Sequence, residues 1–267
     1  MLFRSIAAGA AHDAAGNANT ASTSTDNSVN YNQTPLTVTI NQASSQVDPA
    51  LASTIHFTVV FSQAVSNFLT GDVTLGGTAL GTLLGTVTGS GTTYDVAVTG
   101  MTSSGTVIAS IAAGVATDGS GNANSASTST DNVVTYDVTG PTVTINKAST
   151  QSDPTNVTTI YFTVVFSEEV SDFVTGDVTL VSSAGDTLIG VVTPVGSDGT
   201  TYTGGVSGMT TTNSTITATI DAGVAEDAAG NANVASTSTD NVVTFDITAP
   251  TVIVSEASTQ EDPTSDG

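Results

Sequence analysis

The chain has 267 residues, of which 24 are acidic and two, Arg4 and Lys147, are basic, giving a net charge of -22. A surface of that sign cannot neutralise phosphates, which argues against nucleic acid and anionic membranes as partners. Cys is absent, so disulfides are excluded, and no apolar run approaches the roughly 18 residues that span a bilayer.

Thr, Ser, Gly, Ala and Val dominate; Thr and Val favour strands, while Gly and Asn favour turns. With a single lysine in the chain, a Lys–Asn cross-link in every repeat is also ruled out. Stability has to come from apolar cores and from whatever offsets the one-sided charge.

Taken in chain order, residues 1–5 (MLFRS) come first. With the small residues that follow they imitate a signal peptide. However, IAAGAAHDAAGNAN at 6–19 matches IAAGVATDGSGNAN at 111–124, so the chain is inside a repeat by Ile6. MLFRS reads as an assembly scar, an expectation that the genomic context would test. Residues 6–32 read as the C-terminal part of a truncated repeat, 33–137 and 138–246 as whole repeats, and 247–267 as the start of another. The anchors are TVTINQASSQVDP at 37–49, TVTINKASTQSDP at 142–154 and TVIVSEASTQEDP at 251–263, spaced 105 and then 109 apart. On this reading the chain is a piece of a longer protein.

A period near 105 is too long for a solenoid unit and suits a self-contained sandwich domain. In the second whole repeat seven short strands are predicted, at 142–146, 159–166, 177–182, 187–192, 201–207, 215–220 and 242–246. The second of these alternates. Ile160, Phe162, Val164 and Phe166 fall on one face and Tyr161, Thr163 and Val165 on the other, which makes the first set core. No segment has sustained helical periodicity. The fold class is all-β: tandem immunoglobulin-like sandwiches of about seven strands each.

The pattern PTVTIN, DPTN, FTVVFSEEV, TGDVTL, DAAGNAN, VVTFD resembles the bacterial immunoglobulin-like repeats of very large secreted or cell-surface adhesins, over nearly the whole chain. Gln63 departs from it where the next repeat has Glu168, and Pro35-Leu36 stands where that repeat has Gly140-Pro141. The resemblance implies an extracellular spacer or adhesion role at a bacterial surface, often with calcium at domain junctions. The neighbouring repeats are then the direct partners, and the ligand of any distal domain is unknown.

The acids can be placed independently of that resemblance. Strands of a sandwich alternate direction, so loops collect at two ends. Glu168, Glu169 and Asp172 lie in the loop after the second strand. Asp221, Glu226, Asp227 and Asp240, with Asn231 and Asn233, lie between the sixth and seventh strands; both loops belong to the end facing the preceding repeat. Asp48 and Asp137 belong to the opposite end of that preceding repeat. These residues are expected to converge on the junction, and calcium takes six to eight hard oxygens of this kind. Asp118 and Asn122 occupy the matching loop one repeat earlier, and Asp153 and Asp246 would serve the next junction. Against this stands plain turn chemistry, because Asp opens type I turns, Gly closes them and Asn bonds locally. The spacing is not that of an EF-hand.

Two other functions can be weighed. An enzyme needs a nucleophile–base pair or a carboxylate cleft, and the only histidines are His12 and His56; Tyr161 stands where His56 would recur. A carbohydrate-binding module is the stronger rival. It wants exposed aromatic platforms, yet Trp is absent, and Tyr31, Tyr94, Tyr136, Tyr202 and Phe245 recur at matching places that suit core packing.

Overall fold

The computed structural model describes residues 2–26, 28–29 and 31–259. The chain divides into two compact units, Met1–Val138 and Thr139–Gly267.

The first unit opens with a short antiparallel pair, β1 (Leu2–Phe3) and β2 (Ser28–Val29). Then come β3 (Val38–Gln42), β4 (Ile55–Val65), β5 (Val73–Gly77), β6 (Gly81–Met101), β7 (Gly105–Ile111) and β8 (Val133–Tyr136). They form two three-stranded antiparallel sheets, β3-β4-β6 and β5-β7-β8. The second unit has β9 (Val143–Lys147), β10 (Ile160–Phe166), β11 (Val178–Ser182), β12 (Ile189–Pro194), β13 (Thr201–Ser207), β14 (Ser214–Ile220) and β15 (Val242–Phe245). Its sheets are β12-β13-β10-β9 and β11-β14-β15. That division of seven strands is the four-plus-three arrangement of an immunoglobulin-like sandwich.

The seven strands of the second unit coincide with the expected ones to within two residues at each end. In the first unit the fourth and fifth strands run on as β6, folding back at a tight turn where Gly91 adopts φ 72°. The second unit has three more residues here, and they open a loop in which the Val195 N–H donates to the Thr201 carbonyl.

Alternation builds each core. Ile160, Phe162, Val164 and Phe166 are buried, while Tyr161 and Val165 are exposed. Ile145 from one sheet and Ile216, Ala218 and Val243 from the other join the same cluster. Each fully buried aliphatic or aromatic side chain contributes about 1.5–3 kcal/mol.

The recurrent tyrosines are core residues, as their spacing implied: Tyr94, Tyr136 and Tyr202 are buried, and so is Phe245. Tyr31 is the exception, at 66% exposed. Tyr202 closes an edge-on triangle with Phe166 and Phe173, ring centres 5.0 to 6.0 Å apart, and Tyr94 repeats it with Phe61 and Phe68. The Tyr94 hydroxyl donates to the Val65 carbonyl at 2.9 Å, pinning the end of β4 to the core.

Candidate functional site

The thrice-repeated Asp-Gly-Asn loop is built as one local device. In the second unit Asp227 Oδ1 accepts from the Ala229 and Asn231 amides at 2.8 and 2.9 Å, and Oδ2 accepts from Asn231 Nδ2 at 3.0 Å. Asp118 makes the same three bonds to Ser120 and Asn122. Asp13 makes them to Ala15 and Asn17. The Asn122 amide, first among several local hydrogen bonds, holds the Asp118 carboxyl below the usual carboxylate range; Asn17 does the same for Asp13. The next Asn is a brace. Asn233 Oδ1 accepts from the Val224 and Ala225 amides, and its Nδ2 donates to the Asp221 and Val234 carbonyls. Asn124 fills the same place, and both are almost wholly buried.

The Ser-Thr alternation that follows is equally committed. Val234 and Thr237 donate backbone N–H groups to Pro141 and Val143, so this segment runs parallel beside β9. Ser238 Oγ accepts from the Ile145 amide at 2.7 Å, and Ser236 Oγ accepts from Ile220 at 3.0 Å. Asn241 donates to the Ala218 carbonyl.

This course moves Asp240. The sequence reading placed it at the end that carries Glu168. Instead it lies beside Lys147 at the far end of β9, its Oδ1 3.5 Å from Lys147 Nζ, and Asp153 approaches the same amine at 3.6 Å. Asp240 is therefore removed from the Glu168 group. Asp153 Oδ1 also accepts from the Thr244 amide, just as Asp48 Oδ1 accepts from Thr135. Asp137, at the end of the first unit, accepts from the Ser104 hydroxyl at 2.9 Å. Its counterpart Asp246 accepts from Thr212 and from the Thr248 amide, and the latter is the main cause of its lowered pKa.

At the opposite end of the second unit the acids do assemble. Asp172 Oδ1 accepts from the Glu226 amide at 2.8 Å, tying the loop after β10 to the loop after β14. Glu168 and Asp227 bring carboxylate oxygens within 4.8 Å of each other. Glu169 is exposed, with its side chain against Gly199 of the loop before β13. Tyr202 reports the same gathering: burial first, and then the charges of Asp172, Asp198 and Glu169, push its hydroxyl up.

The donor set fits a hard cation. It offers carboxylate and amide oxygens and no imidazole or thiolate, which suits calcium and not zinc. The Asp227 turn bonds use three of the roughly four lone-pair sites of a carboxylate, so one remains for a metal.

The first unit differs at the same positions. Gln63 stands where the second unit has Glu168, leaving Asp118 as the one acid of that pair. Asn32 Nδ2 donates to Gln63 Oε1 at 3.2 Å and to Ser120 Oγ at 3.4 Å, and Gln63 Nε2 donates to the Thr34 carbonyl at 3.3 Å. A neutral amide network thus stands where the second repeat places carboxylates. His56 lies on the outer face of β4, with Nδ1 3.1 Å from both oxygens of the half-exposed Asp95.

No helix among the described residues is long and apolar enough to cross a membrane. No curated protein matches the sequence. Among solved structures, one described as the D00-D0 domain of Intimin aligns over 78% of this chain and 98% of its own, at 14% identity and a TM-score of 0.35. A family model described as a bacterial Ig-like domain matches residues 31–135 and again 137–244. The chain belongs to the bacterial Ig-like domain family, which it carries as tandem copies.

Proposed function

We propose that this chain is a structural extender of a large bacterial adhesin, working outside the cell or at its surface and stiffened by calcium where one repeat passes into the next. On this reading Asp137, Glu168 and Asp227 are the principal ligands, and Glu169 and Asn231 are the adjacent candidates. The observation that carries it is the approach of the Glu168 and Asp227 carboxylates in a unit whose only basic residue, Lys147, is engaged by Asp153 and Asp240. Two anions held that close repel one another, and a divalent cation relieves the repulsion. Only four residues, Val-Thr-Gly-Pro at 138–141, separate Asp137 from the core sequence of the next repeat, and Pro141 stiffens them further. Extracellular calcium modules bind at about 10⁻⁴–10⁻³ M, which suits this setting. No catalytic role is proposed: His56 pairs with Asp95 on the outer face of β4, and Tyr161 takes its place in the next repeat.

Calorimetry of the whole chain in calcium and in chelator tests the reading. Calcium at ten to a hundred times its dissociation constant stabilises by about 1.4–2.7 kcal/mol. The midpoint is expected to rise by several degrees, and Glu168→Gln is expected to abolish the rise. Glu168 is the better position to vary, because Asp227 also holds its own turn. Equal midpoints with and without calcium would refute the proposal.

A further inference from the structure

We infer that the second repeat carries a binding site for a neutral oligosaccharide, centred on Tyr161 and independent of the calcium reading. The loop between β9 and β10 and the start of β10 line an open, shallow cleft of about 420 Å³, a volume within the usual range for small-molecule sites. Its polar lining includes Gln151, Ser152, Thr155, Thr158, Thr159 and Tyr161, with Val157 as an apolar patch. None of these side chains is an acid or a base of the Lys or Arg kind, although the chain carries 24 acids.

Tyr161 is the aromatic element that the carbohydrate reading lacked. It is 48% exposed on the outer face of β10. Directly across the strand stands Gly205, and beyond that Val191, itself exposed. A methyl group on Gly205 would lie 3.6 Å from the Tyr161 ring and 3.8 Å from the Thr159 methyl, so the ring packs along bare backbone. Gln151 fixes the rim: its Oε1 accepts from the Tyr161 amide at 2.9 Å and its Nε2 donates to the Ser152 carbonyl.

The chemistry selects the ligand class. A ring with one apolar face, bordered by hydroxyls and a fixed amide, matches a pyranose, which has an apolar C–H face and a hydroxyl periphery. The net charge of -22 disfavours anionic ligands, and the lining has no carboxylate to neutralise a cation. An extended peptide is also a poor fit. β10 is already paired on both sides, by β9 and β13, so it has no open edge to augment.

The first repeat supplies an internal control. The same frame exists there, because the Gln46 side chain accepts from the His56 amide at 2.8 Å. However, Val47, Ala50 and Ala52 replace Ser152, Thr155 and Val157, and His56, turned to Asp95, replaces Tyr161.

The test is a ¹H–¹⁵N NMR titration of the whole chain with cellobiose, lactose and diacetylchitobiose, using digalacturonate as the anionic control. At least one neutral disaccharide is expected to give saturable shifts confined to residues 150–161 and 204–206, with a dissociation constant on the order of 1 mM. Tyr161→Ala is expected to weaken binding at least tenfold and Tyr161→Phe to retain it. The inference is overturned if none of the three sugars shifts these residues, if residues 45–56 respond equally, or if Tyr161→Ala titrates like the parent.

Discussion

Asn233 shows how much a single polar side chain can hold. Four backbone groups lose their partner if it is truncated, and each unsatisfied buried group costs about 1–3 kcal/mol. Asn233→Ala is therefore expected to destabilise the second unit by about 3 kcal/mol or more, read from the denaturant midpoint. Asn19, which makes the equivalent bonds in an exposed setting, is expected to shift by less than about 0.5 kcal/mol when changed to Ala. The acids have a pH signature. The folded-state pKa values of Asp118 and Asp186 are lowered, for Asp118 by the Asn122 amide and for Asp186 by the Thr210 hydroxyl before other bonds. Their contribution is complete above the unfolded carboxylate pKa and is lost as pH falls through the lower folded value. A stability–pH curve is expected to fall on its acid side, and Asp118→Asn is expected to flatten part of that fall.

At the scale of elements, alternation and turn chemistry made most of the sandwich legible. Ile160 to Phe166 announce a strand buried on one side, and the TGD turns before β5 and β11 mark where strands start. What the sequence hid was the path of residues 234–240. Hydropathy flags strands by apolar alternation, and this segment alternates Ser and Thr instead, so it read as loop and Asp240 was assigned to the wrong end. The merger of two strands into β6 was hidden too, because it depends on how tightly the turn at Gly91 closes. The aromatic triangles make a prediction of their own. Phe166→Ala opens a cavity in the second core and is expected to cost about 3–5 kcal/mol. In calorimetry one transition is expected to move while that of the first unit stays in place, and a common shift of both would contradict two self-sufficient cores.

Across the whole chain, the two repeats are close in fold and unlike in chemistry. The carboxylates of the second repeat were visible in the sequence as a cluster. The substitution of Glu168 by Gln63 in the first showed only as a single departure, and its meaning as part of a hydrogen-bonded amide network with Asn32 needed the side chains in place. If calcium acts as proposed, Gln63→Glu with Asn32→Asp is expected to add a calcium-dependent rise in the midpoint of the first unit. Glu168→Gln is expected to remove one from the second. A calorimetric scan with and without chelator distinguishes the four combinations.

The segment beside β9 also decides how a repeat carries load. Tension enters each unit near the start of its first strand and leaves near the end of its last. The bonds from Val234 to Pro141, from Thr237 to Val143 and from Ile145 to Ser238 lie across that line of pull, between two stretches that run in the same direction. Force therefore loads them in shear, and they must yield together instead of unzipping one after another. If the chain bears tension as an extender, this Ser-Thr stretch is its mechanical clasp, and a Ser238→Ala variant stretched between its ends is expected to let go at a lower force.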